Sequence, residues 1–372
     1  MIYLDNAATT FPKPDKVIEA VVDCLKTYCG NPGRSSHALS IKASEEIYYA
    51  RETVADFFGI EDAERVVFTH NATDALNLAI KGTAKVNSHV ITSDIEHNAT
   101  VRPLRKLEKT KCVRKSNFDS DSDVKSEIKR LVTPDTSCII STLTSNVNGK
   151  NISLKDLSFA ARELDLPLIL DASQAAGHID IDFKKTPFAV LCAPAHKSLF
   201  GIQGCGFAIF ADEMIRDTLY EGGSGAESTN PEMPDGLPER FEAGTQAVPS
   251  IVALRHGIEF IRTVGGAEIR KKLSCLGEAA CEMLSEFKKI KVFSEGNGIV
   301  SFSLEGVPSS EISSRLDRCD ICTRSGLHCA PLAHKKLGTL EDGTVRISFS
   351  YFNTRNEIDR LYRALRGMEI LF

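Results

Sequence analysis

Short apolar runs at residues 66–69, 89–92, 138–142, 166–170, 188–192 and 206–210 alternate along this chain with stretches whose apolar positions recur every three or four residues, such as 75–80 and 154–164. A run without polar alternation suits a strand covered on both faces, and the longer spacing suits a helix with one buried stripe. Strands and helices in alternation predict a mostly parallel sheet with helices on both faces. From about residue 267 the rhythm changes. Residues 300–304 and 344–349 alternate apolar and polar positions as half-buried strands do, and 356–367 reads as a closing helix. The pattern predicts a large α/β domain over 15–255 and a smaller α+β domain made of 1–14 together with 256–372. Glycine and proline gather between 221 and 238, which predicts a long surface loop within the large domain, and long ordered loops commonly serve a site. No internal repeat or low-complexity segment interrupts the pattern.

Composition narrows the classes. At 372 residues, 42% hydrophobic and 26% charged, the chain is of ordinary globular make-up and long enough for a second domain. A formal net charge of −5 gives no basic field, and no dense Lys/Arg block is interleaved with aromatics, so nucleic acid is not an expected partner. No apolar run approaches membrane-spanning length, and the start Met1-Ile2-Tyr3-Leu4-Asp5 has no charged leader, so no membrane association is expected and the predicted location is cytoplasmic. The 11 cysteines are scattered through apolar and helical stretches, which suits a reducing compartment better than a disulfide framework. Cys319 and Cys322 have redox or zinc spacing, but a lone pair in a strand-like run does not make a metal site, and none is expected.

Two of the apolar runs end in residues that carry chemistry. The run 166–170 leads into Asp171, and 188–192 leads through Ala193-Pro194-Ala195-His196 into Lys197. In one parallel sheet both would stand at carboxyl ends of strands, where open α/β sheets bind ligands. A carboxylate that can pair with a pyridinium nitrogen and a lysine that can form an imine are what a protein supplies to pyridoxal phosphate. Taken singly, each has a plainer reading, a helix cap for the aspartate and a solvated loop charge for the lysine. Strand 66–69 runs into His70-Asn71-Ala72-Thr73 with a helix starting near Asp74. The free amides and positive end of that helix suit a phosphate, with Thr73 either an extra donor or simply the cap.

Glu96-His97 follows strand 89–92, and an imidazole there could stack on an aromatic cofactor or move a proton. Asn146, in Ser145-Asn146-Val147-Asn148-Gly149, could contact a ring substituent or form a turn. Gln174 falls on the first turn after Asp171 and points at the same ligand space. Near the end of the chain Cys329 lies next to His328 and close to Arg324 in a turn-like segment. Positive neighbours raise the thiolate fraction that a nucleophilic sulfur needs, whereas a buried, inert cysteine is the alternative. Gly201, Gly204 and Gly206 precede a strand and do not link strand to helix, so they are not a dinucleotide fingerprint.

These segments, together with Tyr3-Leu4-Asp5-Asn6-Ala7-Ala8-Thr9-Thr10, Phe241-Glu242-Ala243-Gly244-Thr245 and the stretch from Arg346 to Thr354, resemble the cysteine desulfurases. These belong to the class V branch of the fold-type I pyridoxal phosphate enzymes, and the likeness is to those with a short cysteine loop. It covers essentially the whole chain. The resemblance implies the fold-type I architecture, pyridoxal 5'-phosphate as cofactor, and a homodimer with each active site at the subunit interface. It implies Lys197 as the residue that holds the cofactor, Asp171 at the pyridine nitrogen, Gln174 at the phenolic oxygen and His97 over the ring. Ala72, Thr73, His196 and Thr245 from the other subunit would hold the phosphate. Asn6, Asn146, Arg324 and Arg346 would meet the substrate, with Arg346 clamping its carboxylate, and Cys329 would accept sulfur.

The implied reaction converts L-cysteine to L-alanine and leaves a persulfide on Cys329 for a sulfur-acceptor protein, as in iron–sulfur cluster assembly. L-selenocysteine as substrate, a class V aminotransferase or epimerase with an incidental Cys329, and a non-catalytic scaffold are the competing readings. Lys197 and Asp171 together argue against the last. The chain departs from the pattern at Pro194, where many relatives carry a serine whose hydroxyl meets the phosphate. It departs again at Leu327, where short-loop relatives have a second histidine.

Overall fold

The apolar runs become the middle of a sheet because neither of their faces can be left to water. The computed structural model describes residues 1–33, 35–211 and 217–369. The first part of the chain supplies β1 (Ile2–Tyr3), α1 (Asp15–Thr27), α2 (Ala38–Phe57), β2 (Val66–Thr69), α3 (Ala72–Thr83), β3 (His89–Ser93), α4 (Asn98–Thr110) and β4 (Arg114–Phe118). It continues with α5 (Val124–Leu131), β5 (Thr136–Thr142), α6 (Leu154–Glu163), β6 (Leu168–Asp171), β7 (Val190–Pro194) and β8 (Gly206–Phe210). These strands form a 7-stranded sheet in the order β2-β8-β7-β6-β5-β3-β4. Strands β7, β6, β5, β3 and β4 run parallel, and β8 lies antiparallel to both of its neighbours.

Adjacent residues of one strand enter different cores, as a period of two demands. Ile139 and Leu168 belong to the core that also holds Leu157, Leu254 and Ile258. Ile140 and Ile169 belong to the other, with Leu76, Leu78 and Ile80 of α3. Strand β4, Arg-Lys-Ser-Asn-Phe, is the exception: it lies at the sheet edge, half in water, and its polar sequence gave no strand signal.

The remainder comprises α7 (Val248–Val264), α8 (Gly266–Ser285), β9 (Ile290–Phe293), β10 (Ile299–Leu304), α9 (Ser309–Asp317), β11 (Ile321–Cys322), β12 (Arg324–Gly326), α10 (Pro331–Leu337), β13 (Thr344–Ser348) and α11 (Arg355–Glu369). A 4-stranded antiparallel sheet, β12-β13-β10-β9, carries the Arg324 and Arg346 segments side by side. The chain start joins this part. Strand β1 pairs in parallel with β11, and Asp5 bridges to Ser348. Among the described residues no helix is long and apolar enough to cross a membrane.

Candidate active site

Asp171 is the last residue of β6 and pairs in register with Cys192 of β7, so the turn that carries His196 and Lys197 rises beside it. A cavity of about 510 Å³ opens at these strand ends. Ala72, Thr73, His97, Asn146, Asp171, Gln174, His196 and Lys197 all line it. The lysine turn is gripped from the chain's own start. The His196 carbonyl accepts from Thr10 N at 3.0 Å, Thr9 Oγ1 at 3.2 Å and Lys13 Nζ at 2.8 Å, and the Lys197 carbonyl accepts from Thr10 Oγ1 at 2.8 Å. Burial pulls the Lys197 amine down to about 8, against the opposing charge of Asp171, and Arg346 and Arg324 lower it further. That brings it within reach of the neutral, nucleophilic form near neutral pH.

One end of the cavity is a cradle of backbone donors. The cap of α3 is Asn71, whose side chain accepts from Asp74 N at 3.0 Å, so the Thr73 hydroxyl is not spent on capping. The first amides of a helix have no intrahelical acceptor, and they carry its positive end. Gly206 of β8 passes directly behind them. A Cβ there would lie 2.7 Å from Ala72 N and 2.8 Å from Asn71 Cα. His196 Nδ1 is buried beside the cavity without a hydrogen-bond partner among the described residues, and burial lowers its pKa to about 4. Pro194 contributes no side-chain donor, but Ser173 lines the same cavity.

His97 caps α4, its Nδ1 accepting from Ala99 N at 3.0 Å. Burial pushes its pKa down to about 4, so the ring is neutral with its proton on Nε2. Gln174 Nε2 donates to Ala7 O at 2.9 Å, which fixes the amide at the cavity wall.

Cys329 follows β12 in a turn that closes with Ala330 N donating to Leu327 O at 2.9 Å. The turn is pinned to the start of α4 and the loop after β5 by Asn98 N donating to Cys329 O at 2.7 Å and Asn146 Nδ2 donating to His328 O at 2.7 Å. The thiol is exposed, and Arg324 Nη2 lies 3.8 Å from its sulfur.

The expectation that His328 adds positive charge to the thiol is overturned. Its ring is buried, burial lowers its pKa to about 3, and its nitrogens face the Arg324 carbonyl and His334, each at 3.2 Å. Of the two expected cations only Arg324 meets the sulfur.

Three other expected residues sit in unforeseen settings. Arg346 is fully buried, with Nη2 2.7 Å from Asp5 Oδ1 and Nη1 donating to Asn146 O at 2.9 Å. Its Nε has no partner among the described residues. The Asn6 amide joins parts of the chain: Nδ2 donates to Ser348 O at 2.9 Å and Asn353 Oδ1 at 3.2 Å, and Oδ1 accepts from Phe11 N at 3.1 Å. Thr245 is exposed and lines a different cavity, with Phe68 and His70. Residue patterns gave Thr9, Thr10, Lys13 and Ser173 no individual role. Thr9, Thr10 and Lys13 act through contacts with a turn distant in sequence, which leave no local signal.

A buried lysine of lowered pKa, a strand-end carboxylate and the first amides of a helix meet around one cavity at the carboxyl edge of a mostly parallel sheet, an arrangement that defines a class of protein. The family model described as aminotransferase class-V matches residues 2–361, and the chain belongs to that family. It is 30% identical to a probable cysteine desulfurase of Methanothermobacter thermautotrophicus, over 98% of this chain and 94% of that one. It is 29% identical to a cysteine desulfurase of Haloferax volcanii, over 100% of this chain and 90% of the other. The solved apo structure of a cysteine desulfurase from Thermococcus onnurineus superposes with a TM-score of 0.88 at 28% identity, covering 99% of this chain and 94% of its own.

Proposed function

We propose that this protein is a pyridoxal phosphate dependent cysteine desulfurase that moves sulfur from L-cysteine to Cys329 and passes it to an acceptor protein. The observation that carries this reading is the exposed Cys329 thiol, in contact with Arg324, on a turn whose backbone is held by Asn98 and by Asn146, the latter in the wall of the cavity that holds Lys197. The names of its relatives point the same way.

The residues fit the cofactor. The α3 amides, Thr73 and the unpartnered His196 Nδ1, gathered at one cavity, suit a phosphate. When bound, pyridoxal phosphate supplies an electron sink that weakens bonds near the substrate α-carbon. Lys197 would hold it covalently, Asp171 would keep a proton on the ring nitrogen, Gln174 would face the phenolic oxygen, and His97 would lie over the ring.

Lys197, freed by substrate and close to neutral, takes the α-proton and returns it. Arg346, already oriented by Asp5 and Asn146, offers its Nε edge to the substrate carboxylate. The Cys329 thiolate attacks the substrate sulfur. A sulfur–sulfur bond forms as the carbon–sulfur bond breaks, and the carbon keeps the electron pair and takes a proton to become the methyl group of alanine. Arg324 Nη2, 3.8 Å from the Cys329 sulfur, stands beside the attacking atom.

The proposed active unit is a homodimer, because Thr245 stands apart from the cavity of its own chain and would serve that of a second copy. A cytoplasmic location and L-selenocysteine as an alternative substrate belong to the same proposal.

Cys329→Ala tests it. The variant should retain pyridoxal phosphate yet form alanine from L-cysteine about 100-fold more slowly or worse. In the parent, mass spectrometry after L-cysteine should find one extra sulfur on Cys329 that thiol reductant removes. Near-parental alanine formation by the variant would sink the sulfur-acceptor role.

A further inference from the structure

His328 and Cys329 take left-handed backbone conformations in succession, with φ of 49° and 57°. Residues with side chains enter that region only when their surroundings hold them there. The support lies beneath the turn. His328 and His334 are 3% and 0% exposed, and their rings meet edge to edge with centroids 5.3 Å apart. His328 Nε2 is 3.2 Å from the Arg324 carbonyl, His328 Nδ1 is 3.2 Å from His334 Nε2, and His334 Nδ1 is 2.8 Å from Thr339 Oγ1.

With both rings neutral, one arrangement of protons satisfies all three contacts. A carbonyl oxygen only accepts, so His328 carries its proton on Nε2 and donates to Arg324 O. His328 Nδ1 is then bare and accepts from His334 Nε2–H, and His334 Nδ1, bare in turn, accepts from the Thr339 hydroxyl. Every ring nitrogen is used. Burial, which lowers the pKa of both histidines, keeps the rings neutral. Although His328 is the chain neighbour of Cys329, it has neither a lone pair nor a positive charge left for the sulfur. The chain of bonds begins at Thr339, just past the end of α10, and ends on the backbone of Arg324, whose guanidinium contacts Cys329 Sγ.

We propose that Thr339, His334 and His328 form a positioning relay, fixing the left-handed turn so that Cys329 meets substrate sulfur, without taking or giving the thiol proton. The proposal rests on the reading of Cys329 as the sulfur acceptor.

The test uses holoenzyme with Thr339→Val, which removes only the terminal donor at nearly constant volume, and Thr339→Ser, which keeps it. Two quantities are read, the steady-state constants for L-cysteine and the rate of Cys329 alkylation by iodoacetamide across pH. Thr339→Val should lower kcat about tenfold with KM little changed, as expected for a misplaced nucleophile. It should alter the alkylation rate several-fold while the pH midpoint of alkylation stays where the parent has it. Thr339→Ser should restore both quantities.

His334→Gln, whose amide can still donate to His328 Nδ1, should outperform His334→Leu, and this pair serves if Thr339→Val folds poorly. Parental kcat and alkylation rate in Thr339→Val, or equal behaviour of His334→Gln and His334→Leu, would overturn the relay. So would a displaced alkylation midpoint in His328→Gln, which would make His328 a partner of the thiol proton. Desulfuration surviving in Cys329→Ala would instead remove the sulfur-acceptor reading, whatever the Thr339 variants do.

Discussion

Glu96 has no exposed surface, and its Oε1 accepts from the Thr142 amide at 2.8 Å and from the Ser93 hydroxyl. Burial first, and then the charge of Asp171, push its pKa from 4.5 up to about 7, against the pull of those hydrogen bonds. The folded protein therefore holds this proton more tightly than the unfolded chain. That stabilisation is fully present below about pH 4.5 and is lost as the pH rises through about 7. Glutamine keeps the accepting oxygen and cannot ionise. Whatever the amide nitrogen costs in place of the unpartnered Oε2, Glu96→Gln should therefore gain on the parent by on the order of 3 kcal/mol as the pH rises from about 5 to about 8. Urea melts at the two pH values decide it, and an equal effect at both would mean that Glu96 is not ionising as described. At this scale Lys197 and Asp171 were legible, because apolar strand runs lead into both. The neutrality of His328 was not, because it follows from burial and from partners a turn away in space.

At the scale of elements, the cradle depends on two strands and a helix meeting closely. Alanine at Gly206 would drive its Cβ against Ala72 N and Asn71 Cα, backbone atoms that cannot yield cheaply. Gly206→Ala should displace the start of α3 and weaken binding of pyridoxal phosphate much more than that of pyridoxal, which has no phosphate. A fluorescence titration of apoprotein with each ligand checks this, and equal weakening of both would place the cradle elsewhere. The helix and its start were readable from the sequence, but its cap was not. Asn71 and Thr73 are both competent caps, and only the packed backbone assigns the bond to Asn71. Strand β4 escaped pattern reading for a similar reason. An edge strand has one solvated side, so its polar residues break no rule of burial while its backbone still completes the ladder with β3.

Over the whole molecule, parts distant in sequence are tied across the site. Lys336 of α10 reaches Asp94 at 2.7 Å, Asp119 at 2.6 Å and Asp121 at 2.7 Å, stapling the helix that follows Cys329 to the loops beyond β3 and β4. Thr245 remains outside its own cavity, and α1 exposes Ile18, Val22 and Leu25 along one stripe, which supports a covering second copy. Mixed Lys197→Ala and Thr245→Ala subunits, each impaired alone, should then regain part of the activity when hybrids form. Hybrids shown by mass spectrometry but without recovered activity would exclude a shared site.

The linear pattern by itself determined that strands and helices alternate and that Asp171 and Lys197 stand at strand ends, because burial on both faces writes itself into runs of apolar residues. It also marked the Cys329 segment as chemically competent through residue types alone. Tertiary structure decided which side chains are charged and which are spent. Arg346 is held by Asp5, Asn6 is committed to internal bonds, and His328 is turned away from the sulfur beside it. These outcomes depend on desolvation and on hydrogen-bond partners far along the chain, and neither quantity is local to a sequence window.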